Sequence, residues 1–471
     1  MRTKLFFVFV LFSCMTSHAK IKLPELLSDH MVLQQQTNAR LWGEATPNST
    51  VTIQSSWNNQ IWETKADAQG IWETTIATPS ASFAPQTITI SDGEPITLHN
   101  VLIGEVWFCS GQSNMEMTLN GFRKCPIEGA NNVIADAPNH TIRVATIHRS
   151  GALTPQPYAK GMWKESTTEN AAGFTATGYF YALALQKTLQ GPIGLINCSW
   201  GGSCVEGWLP ERILKNYQDI DLNKAKEPKF KWRQPMVMYN AMLYPSRKYT
   251  IKGFIWYQGC ANVSRAASYA ERMTAMVKEW RSLWGQGDLP FYYVEIAPFA
   301  YSNDCKGTKS AYLREAQFKA QAMIPNSAMI TTNDLVEPYE FSQIHPKNKK
   351  DIGDRLAWQA LSKTYGYKGI YADSPSYREM EIKGNQILVR FDHAELGLSP
   401  WEEITGFEIA GENKVFHPAT AKLTNNPEEI AVSSPKVKKP VAVRYCFRNF
   451  QIGNVVNHRN LPLIPFRTDN W

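Results

Sequence analysis

Between residue 20 and about residue 100 the chain alternates apolar and polar positions in short runs broken by turn residues, the two-residue period of strands that bury one face. Ile61-Trp62-Glu63-Thr64 and Ile71-Trp72-Glu73-Thr74 echo one another across Ala66-Asp67-Ala68-Gln69-Gly70, which predicts two strands of one hairpin. The pattern changes at Val101. From there to Cys109 the chain is almost continuously apolar, which predicts an inner strand of a sheet covered on both faces. Up to about residue 370, apolar runs at 193–198, 253–257, 291–296 and 328–332 alternate with helical periodicity at 179–189 and 268–283. That alternation predicts a parallel α/β sheet with helices on its faces. Beyond about residue 375 the period returns to that of strands, at 386–391 and 441–447. The expected organisation is a β-rich domain at 20–100, an α/β domain at 101–374 and a β-rich region at 375–471.

The first nineteen residues read differently. Arg2 and Lys4 precede an apolar run at 5–11, and Ser17-His18-Ala19 offers a small-residue cleavage site, so 1–19 is expected to be a signal peptide of an exported, periplasmic or secreted protein. Leu11-Phe12-Ser13-Cys14 loosely resembles a lipoprotein cleavage box, but Phe12 fits it poorly. No run approaches membrane length, so no membrane span is expected.

A formal charge of +7 is a mild excess over 471 residues. The basic run Lys436 to Lys439 lacks interleaved aromatics, and no nucleic-acid partner is expected. Of the 8 cysteines, Cys14 falls in the expected signal peptide, which leaves an odd number and a pairing that cannot be deduced. There is no C-x-x-C and no H-E-x-x-H, so no metal site is expected.

Candidate chemistry begins where the apolar strand stops, at Gly111-Gln112-Ser113-Asn114-Met115. A serine on a strand-to-helix turn presents its Oγ at the carboxyl edge of a sheet, beside free backbone N–H groups suited to an oxyanion. Met115 replaces the second glycine of G-x-S-x-G, which argues against the nucleophile elbow of the common α/β-hydrolases. The best base is His345. Pro346 follows it, and Ile352, Leu356 and Ala360 repeat at helical spacing, which predicts a helix with His345 at its N-terminus, where the macrodipole favours neutral imidazole. Two glycine turns also fall at predicted strand ends, Trp200-Gly201-Gly202-Ser203 and Gln258-Gly259-Cys260-Ala261-Asn262. Ligand sites form at that edge of an open α/β sheet.

In this order, and together with Asp29-His30-Met31-Val32-Leu33-Gln34, Gly104-Glu105-Val106-Trp107, Trp256-Tyr257-Gln258-Gly259, Ile344-His345-Pro346 and Pro465-Phe466-Arg467-Thr468-Asp469, these motifs resemble the sialate O-acetylesterases of the SGNH-hydrolase superfamily. The resemblance implies a three-layer α/β domain with a central parallel sheet, no cofactor, and an O-acetylated sugar or glycan as substrate. It implies Ser113 as nucleophile, which also borders the oxyanion hole, and His345 as base. It further implies Gly202, or less well Gly201, as a backbone oxyanion donor, and Asn262 or Gln258 as a side-chain donor. Trp200, Trp208 and Trp256 flank this site as candidate apolar walls, with core packing expected for at least two of them, and Arg265 is either a partner for a sialic acid carboxylate or, as the residues favour, a solvated surface side chain.

The sequence departs from the pattern where an aspartate usually precedes the histidine: Ser342 and Gln343 stand there. Glu340, Glu337, Asp334 or a backbone carbonyl would have to orient the imidazole instead. Cys260 also stands where the family often has glutamate, which leaves Cys260 or Cys204 as alternative nucleophiles. Rival readings are an acetylesterase of xylan or another plant glycan, and a noncatalytic carbohydrate-binding protein on a degenerate esterase scaffold.

Overall fold

One strand, Pro95–Gly111, links the amino-terminal part of the molecule to its centre. Its burial alternates up to Asn100 and is then unbroken from Val101 to Gly111, so the two halves face different surroundings. The first half pairs antiparallel with Ser82–Ser91, and Val32–Gln34 lies parallel to Leu102–Gly104. The second half pairs in parallel with Ile193–Ser199 on one side and Gly253–Tyr257 on the other. The expected domain boundary at residue 100 thus falls inside this strand. The computed structural model describes residues 21–471 except 228, 230, 303 and 305, so the expected signal peptide and Cys305 lie outside the described residues.

The central sheet runs Ser327–Ile330, Phe291–Val294, Gly253–Tyr257, Pro95–Gly111, Ile193–Ser199, Ile142–Thr146 and Trp163–Glu165. Only the last is antiparallel to its neighbour. Successive side chains on a strand point to opposite faces. Accordingly Val106 and Phe108 join one core with Met273, Trp280, Trp284 and Leu313 of the helices Ala266–Trp284 and Lys309–Met323. Trp107 and Cys109 join a second core with Tyr179, Leu185, Ile352 and Leu356 of Ala176–Leu189 and Lys350–Gln359. Helices therefore cover both faces, the three-layer arrangement that the continuous apolar runs predict. None of the helices among the described residues is long and apolar enough to cross a membrane.

The amino-terminal strands correct one expectation. Ile61–Lys65 pairs with Thr50–Ser55, and Ile71–Ala77 pairs with Asn38–Glu44, so the two echoing segments lie in different sheets rather than in one hairpin. Asp67 turns the chain between them, its carboxylate accepting from the Gln69 and Ile71 N–H groups at 2.9 and 2.8 Å. Trp72, 1 % exposed, enters the core on one side of that turn, whereas no residue of Ile61–Lys65 is fully buried. Equal composition hid unequal burial.

Residues beyond 375 form two four-stranded sheets around Val389, Phe391, Ile409, Val443 and Tyr445. They return to the α/β part through Arg467, which pairs with Glu315 at 3.0 and 3.2 Å.

Glu105, 4 % exposed, anchors the start of the chain to the central strand. Its carboxylate accepts from Gln34 Nε2, Gln35 Nε2 and Tyr365 OH at 3.0, 2.6 and 2.8 Å. Glu105→Ala leaves these donors without their acceptor and is expected to lower unfolding free energy by about 3 kcal/mol in chemical denaturation, since a bond to a charged group contributes ~1.5–3 kcal/mol.

Candidate active site

The apolar strand ends at Gly111, whose φ of +135° and proximity to Tyr257 exclude a side chain: a Cβ would lie 2.3 Å from the Tyr257 carbonyl oxygen. Gln112 N–H donates to that carbonyl at 3.0 Å, and the chain then winds into the short helix Ser113–Glu116. This places half-buried Ser113 at the carboxyl edge of the sheet.

His345 reaches it from the loop after the last parallel strand. Its Nε2 lies 2.8 Å from Ser113 Oγ. Asn114 joins the two loops by donating to the Ile344 carbonyl at 3.0 Å. The expected helix does not begin at Pro346. It spans Lys350–Gln359, because Glu340 draws the Lys347 N–H into a loop at 3.1 Å and Asn348 accepts from Asp351 N–H at 3.0 Å. The macrodipole therefore does not hold the imidazole neutral. Burial does so, assisted by the positive charge of Lys349, and together they push His345 down to about 4. Lys349 is wholly buried, donates to Asn114 Oδ1 at 2.6 Å and is itself pushed down to about 7 by burial.

The turn after Ile193–Ser199 packs directly on the serine. A Cβ on Gly201 would lie 3.4 Å from Ser113 Cβ. Gly201 N–H is taken by Glu116 Oε2 at 2.9 Å, and Glu116 is held in turn by Arg149 Nε at 2.6 Å. Gly202 is different. Among the described residues neither its N–H nor that of Ser113 has a protein acceptor, which leaves both as candidate oxyanion donors beside Ser113 Oγ. Gly202 has φ +77°, and a Cβ would press to 2.8 Å from the Trp232 ring. Gly202→Ala keeps the N–H, but its Cβ, at positive φ and pressed on Trp232, is expected to shift the turn and move that donor, lowering kcat for p-nitrophenyl acetate by up to roughly 100-fold, the effect of losing one oxyanion donor.

Gln258 and Asn262 do not occupy the donor role expected of them. Gln258 is 0 % exposed, and its Nε2 donates to the Ser203 carbonyl and to Asn262 Oδ1 at 2.9 and 2.8 Å. Asn262 is 1 % exposed; its Nδ2 donates to both Glu206 oxygens at 3.1 and 3.0 Å, and its Oδ1 accepts from Val205 N–H at 3.0 Å. Both amides brace the turn that carries Gly202. Buried acceptors claim their donors first, because an unpaired buried carboxylate or carbonyl is costly.

Arg265 pairs with Glu206 at 3.0 Å and is 35 % exposed. It lines a groove of about 720 Å³ with Lys224, Lys229, Arg233, Cys204 and Cys260. Trp200 is half-buried beside the site, whereas Trp208 and Trp256 are fully buried in the core, the use expected of at least two of the three. Burial pushes the Cys260 thiol up to about 11 and raises Cys204 as well, so neither supplies a thiolate near neutral pH. The cysteines at 109, 125, 198, 204, 260 and 446 are all unbridged.

The carboxylates suggested as partners of His345 are engaged elsewhere. Asp334 holds Arg355 at 2.7 and 2.5 Å. Glu340 and Glu337 cap one another's turn. Asn114, Glu116, Lys349 and Cys125 also belong to the site: Asn114 lies inside the serine motif and Glu116 directly follows it without a pattern that marks a role, whereas Lys349 and Cys125 stand in no motif.

A parallel sheet with helices on both faces, a Ser–His pair at its carboxyl edge and backbone donors beside the serine define a carboxylic ester hydrolase with an SGNH-like fold. The chain belongs to the carbohydrate esterase, sialic acid-specific acetylesterase family, whose model matches residues 103–362. A solved carbohydrate acetylesterase from Xanthomonas citri is 33% identical, with a TM-score of 0.84 over 96% of this chain and 100% of that one. Human sialate O-acetylesterase is 28% identical over 401 residues, covering 78% of this chain and 75% of that protein. The mouse enzyme of the same name is 26% identical over 444 residues, covering 82% and 81%.

Proposed function

We propose that this esterase removes O-acetyl groups from sialic acids through an acetyl-enzyme formed on Ser113. The observation that carries the reading is the 2.8 Å contact between Ser113 Oγ and His345 Nε2, beside the Gly202 and Ser113 N–H groups. Ser113 Oγ attacks the acetyl carbonyl while His345 takes its proton. The two N–H groups hold the oxyanion, and His345 then protonates the departing sugar hydroxyl. Water, giving a proton to the same imidazole, attacks the acetyl-enzyme; the bond to Ser113 Oγ breaks, His345 returns the proton to Oγ, and acetate is freed. These steps use only this chain's own groups.

The substrate class is supported by the groove that reaches the turns following Gly202 and Gly259 through Cys204 and Cys260. Lys224, Lys229, Arg233 and Arg265 outnumber Glu227 and Asp304 along its walls, which suits a sugar carrying a carboxylate. Acetate release from O-acetylated sialic acid is expected to exceed release from acetylated xylan, and converting the sialic acid carboxylate to its methyl ester is expected to raise KM roughly tenfold. Equal rates on the two glycans with no effect of the methyl ester would reassign the substrate to neutral plant glycans. The pattern of residues 1–19 supports export, and the exported chain is expected to begin at Lys20 on amino-terminal sequencing.

A further inference from the structure

A serine hydrolase needs a group that accepts the His Nδ1–H, so that Nε2 is free to take the serine proton. No carboxylate described above does this for His345. What faces Nδ1 is sulfur: Cys125 Sγ lies 3.8 Å away. That thiol has the Gln343 Oε1 at 3.3 Å and the Arg123 carbonyl at 3.5 Å as acceptors of its own proton. Gln343 is the residue standing where the family has aspartate. It is fixed from both ends, since Oε1 also accepts from His345 N–H at 3.3 Å and Nε2 donates to the Lys124 carbonyl at 3.4 Å. The tight turn Phe122 to Cys125 sets the thiol in place through reciprocal backbone bonds of 3.0 and 2.8 Å. From the same turn the Phe122 ring meets the imidazole edge-on, with centroids 5.4 Å apart at 84°.

We propose that Cys125 and Gln343 together replace the triad carboxylate, with the thiol sulfur accepting from His345 Nδ1–H and donating its proton to the Gln343 amide oxygen. The polarity of this chain has one direction. An amide oxygen cannot donate, so the thiol must, and the sulfur lone pair is then what remains for Nδ1–H. Such a relay fixes the tautomer and the ring but adds no negative charge beside the imidazolium. The titratable and charged groups that face the ring are Ser113, Cys125 and Lys349; Asp334, Glu337, Glu340 and Glu116 are bound elsewhere. Cys125 and Gln343 are thus positioning residues, and the inference rests on Ser113 and His345 acting as the reacting pair.

The test compares wild type with Cys125→Ser, Cys125→Ala and Gln343→Asp. Steady-state kinetics on p-nitrophenyl acetate would be run from pH 3.5 to 9, and ¹⁵N spectra recorded on protein labelled at histidine. Cys125→Ala is expected to lower kcat at least roughly tenfold with KM within about twofold, and to mix the two His345 tautomers in the ¹⁵N spectrum. Cys125→Ser keeps a donor and an acceptor at the same place and is expected to restore most of the rate. Gln343→Asp introduces the missing charge and is expected to raise the acid limb of kcat/KM by about one pH unit or more. A Cys125→Ala enzyme with wild-type kcat, acid limb and tautomer overturns the proposal, as does a Cys125→Ser enzyme as impaired as Cys125→Ala. The tautomer readout needs no turnover. An enzyme inactive on every ester, but with a thiol-dependent His345 tautomer, would therefore defeat the esterase mechanism and leave the relay standing.

Discussion

Ser113→Ala is expected to lower kcat for acetate release by at least about 10⁴-fold, because removing the nucleophile of a serine–histidine pair costs a serine hydrolase ~10⁶ in turnover. KM for the glycan should change little, since Ser113 is half-buried at the edge of the sheet and the basic groove is lined by other residues. The oxyanion donors on Gly202 and Ser113 belong to the backbone and survive the substitution, so a small residual rate above water should persist. Acetate release measured by coupled assay, with glycan affinity from calorimetry, separates the two effects. Unchanged turnover in Ser113→Ala would remove Ser113 from the chemistry. Retained glycan binding alongside an inactive wild type would favour the noncatalytic alternative.

His345→Ala should be nearly as damaging, and the intact enzyme should report this histidine through its pH profile. The working form of a general base is neutral. Imidazole burial and the Lys349 charge lower His345 from its ordinary 6.5 to about 4, so the neutral form persists as pH falls until it is protonated near that value. The expected kcat/KM is therefore flat from neutrality to about pH 5, with an acid limb near 4. Lys349→Met removes the neighbouring cation, which stabilises imidazolium and should move the limb upward. A limb centred near 6.5 in the wild type would show the imidazole to be solvated and uncoupled from Lys349.

Much of this architecture was legible because the residues that build it obey one rule each. Val101 to Cys109 is apolar but for Glu105 because both faces of that strand are covered, and the runs at 193–198 and 253–257 announce themselves for the same reason. Ser113 and Gly202 stand on turns at strand ends, whereas His345 lies well beyond Ser327–Ile330 and is singled out in the sequence by its place before Pro346. The errors came from choices that local pattern cannot express. Ile61–Lys65 and Ile71–Ala77 share a composition, yet their sheets are selected by distant partners. Gln258 and Asn262 carry the right chemical groups, but the Gln258 amide hydrogens go to the Ser203 carbonyl and Asn262 Oδ1, and those of Asn262 go to Glu206, partners no local pattern announces. Glu206 itself, 3 % exposed and paired with Arg265 and Arg272, belongs to no motif. Cys125 is 220 residues from His345, a separation that no spacing rule detects.

The 17 residues of Pro95–Gly111 extend over roughly 55 Å at ~3.3 Å per residue, and the nucleophile hangs from one end while the amino-terminal sheet grips the other. A chain begun at residue 101 would lose Val32–Gln34 and Ser82–Ser91 together, leaving Leu102 and Ile103 on a raw edge that invites pairing with other copies. The amino-terminal β region is therefore no detachable accessory. In transplanting this catalytic centre to another scaffold, the first sheet and the serine would have to be moved as one piece.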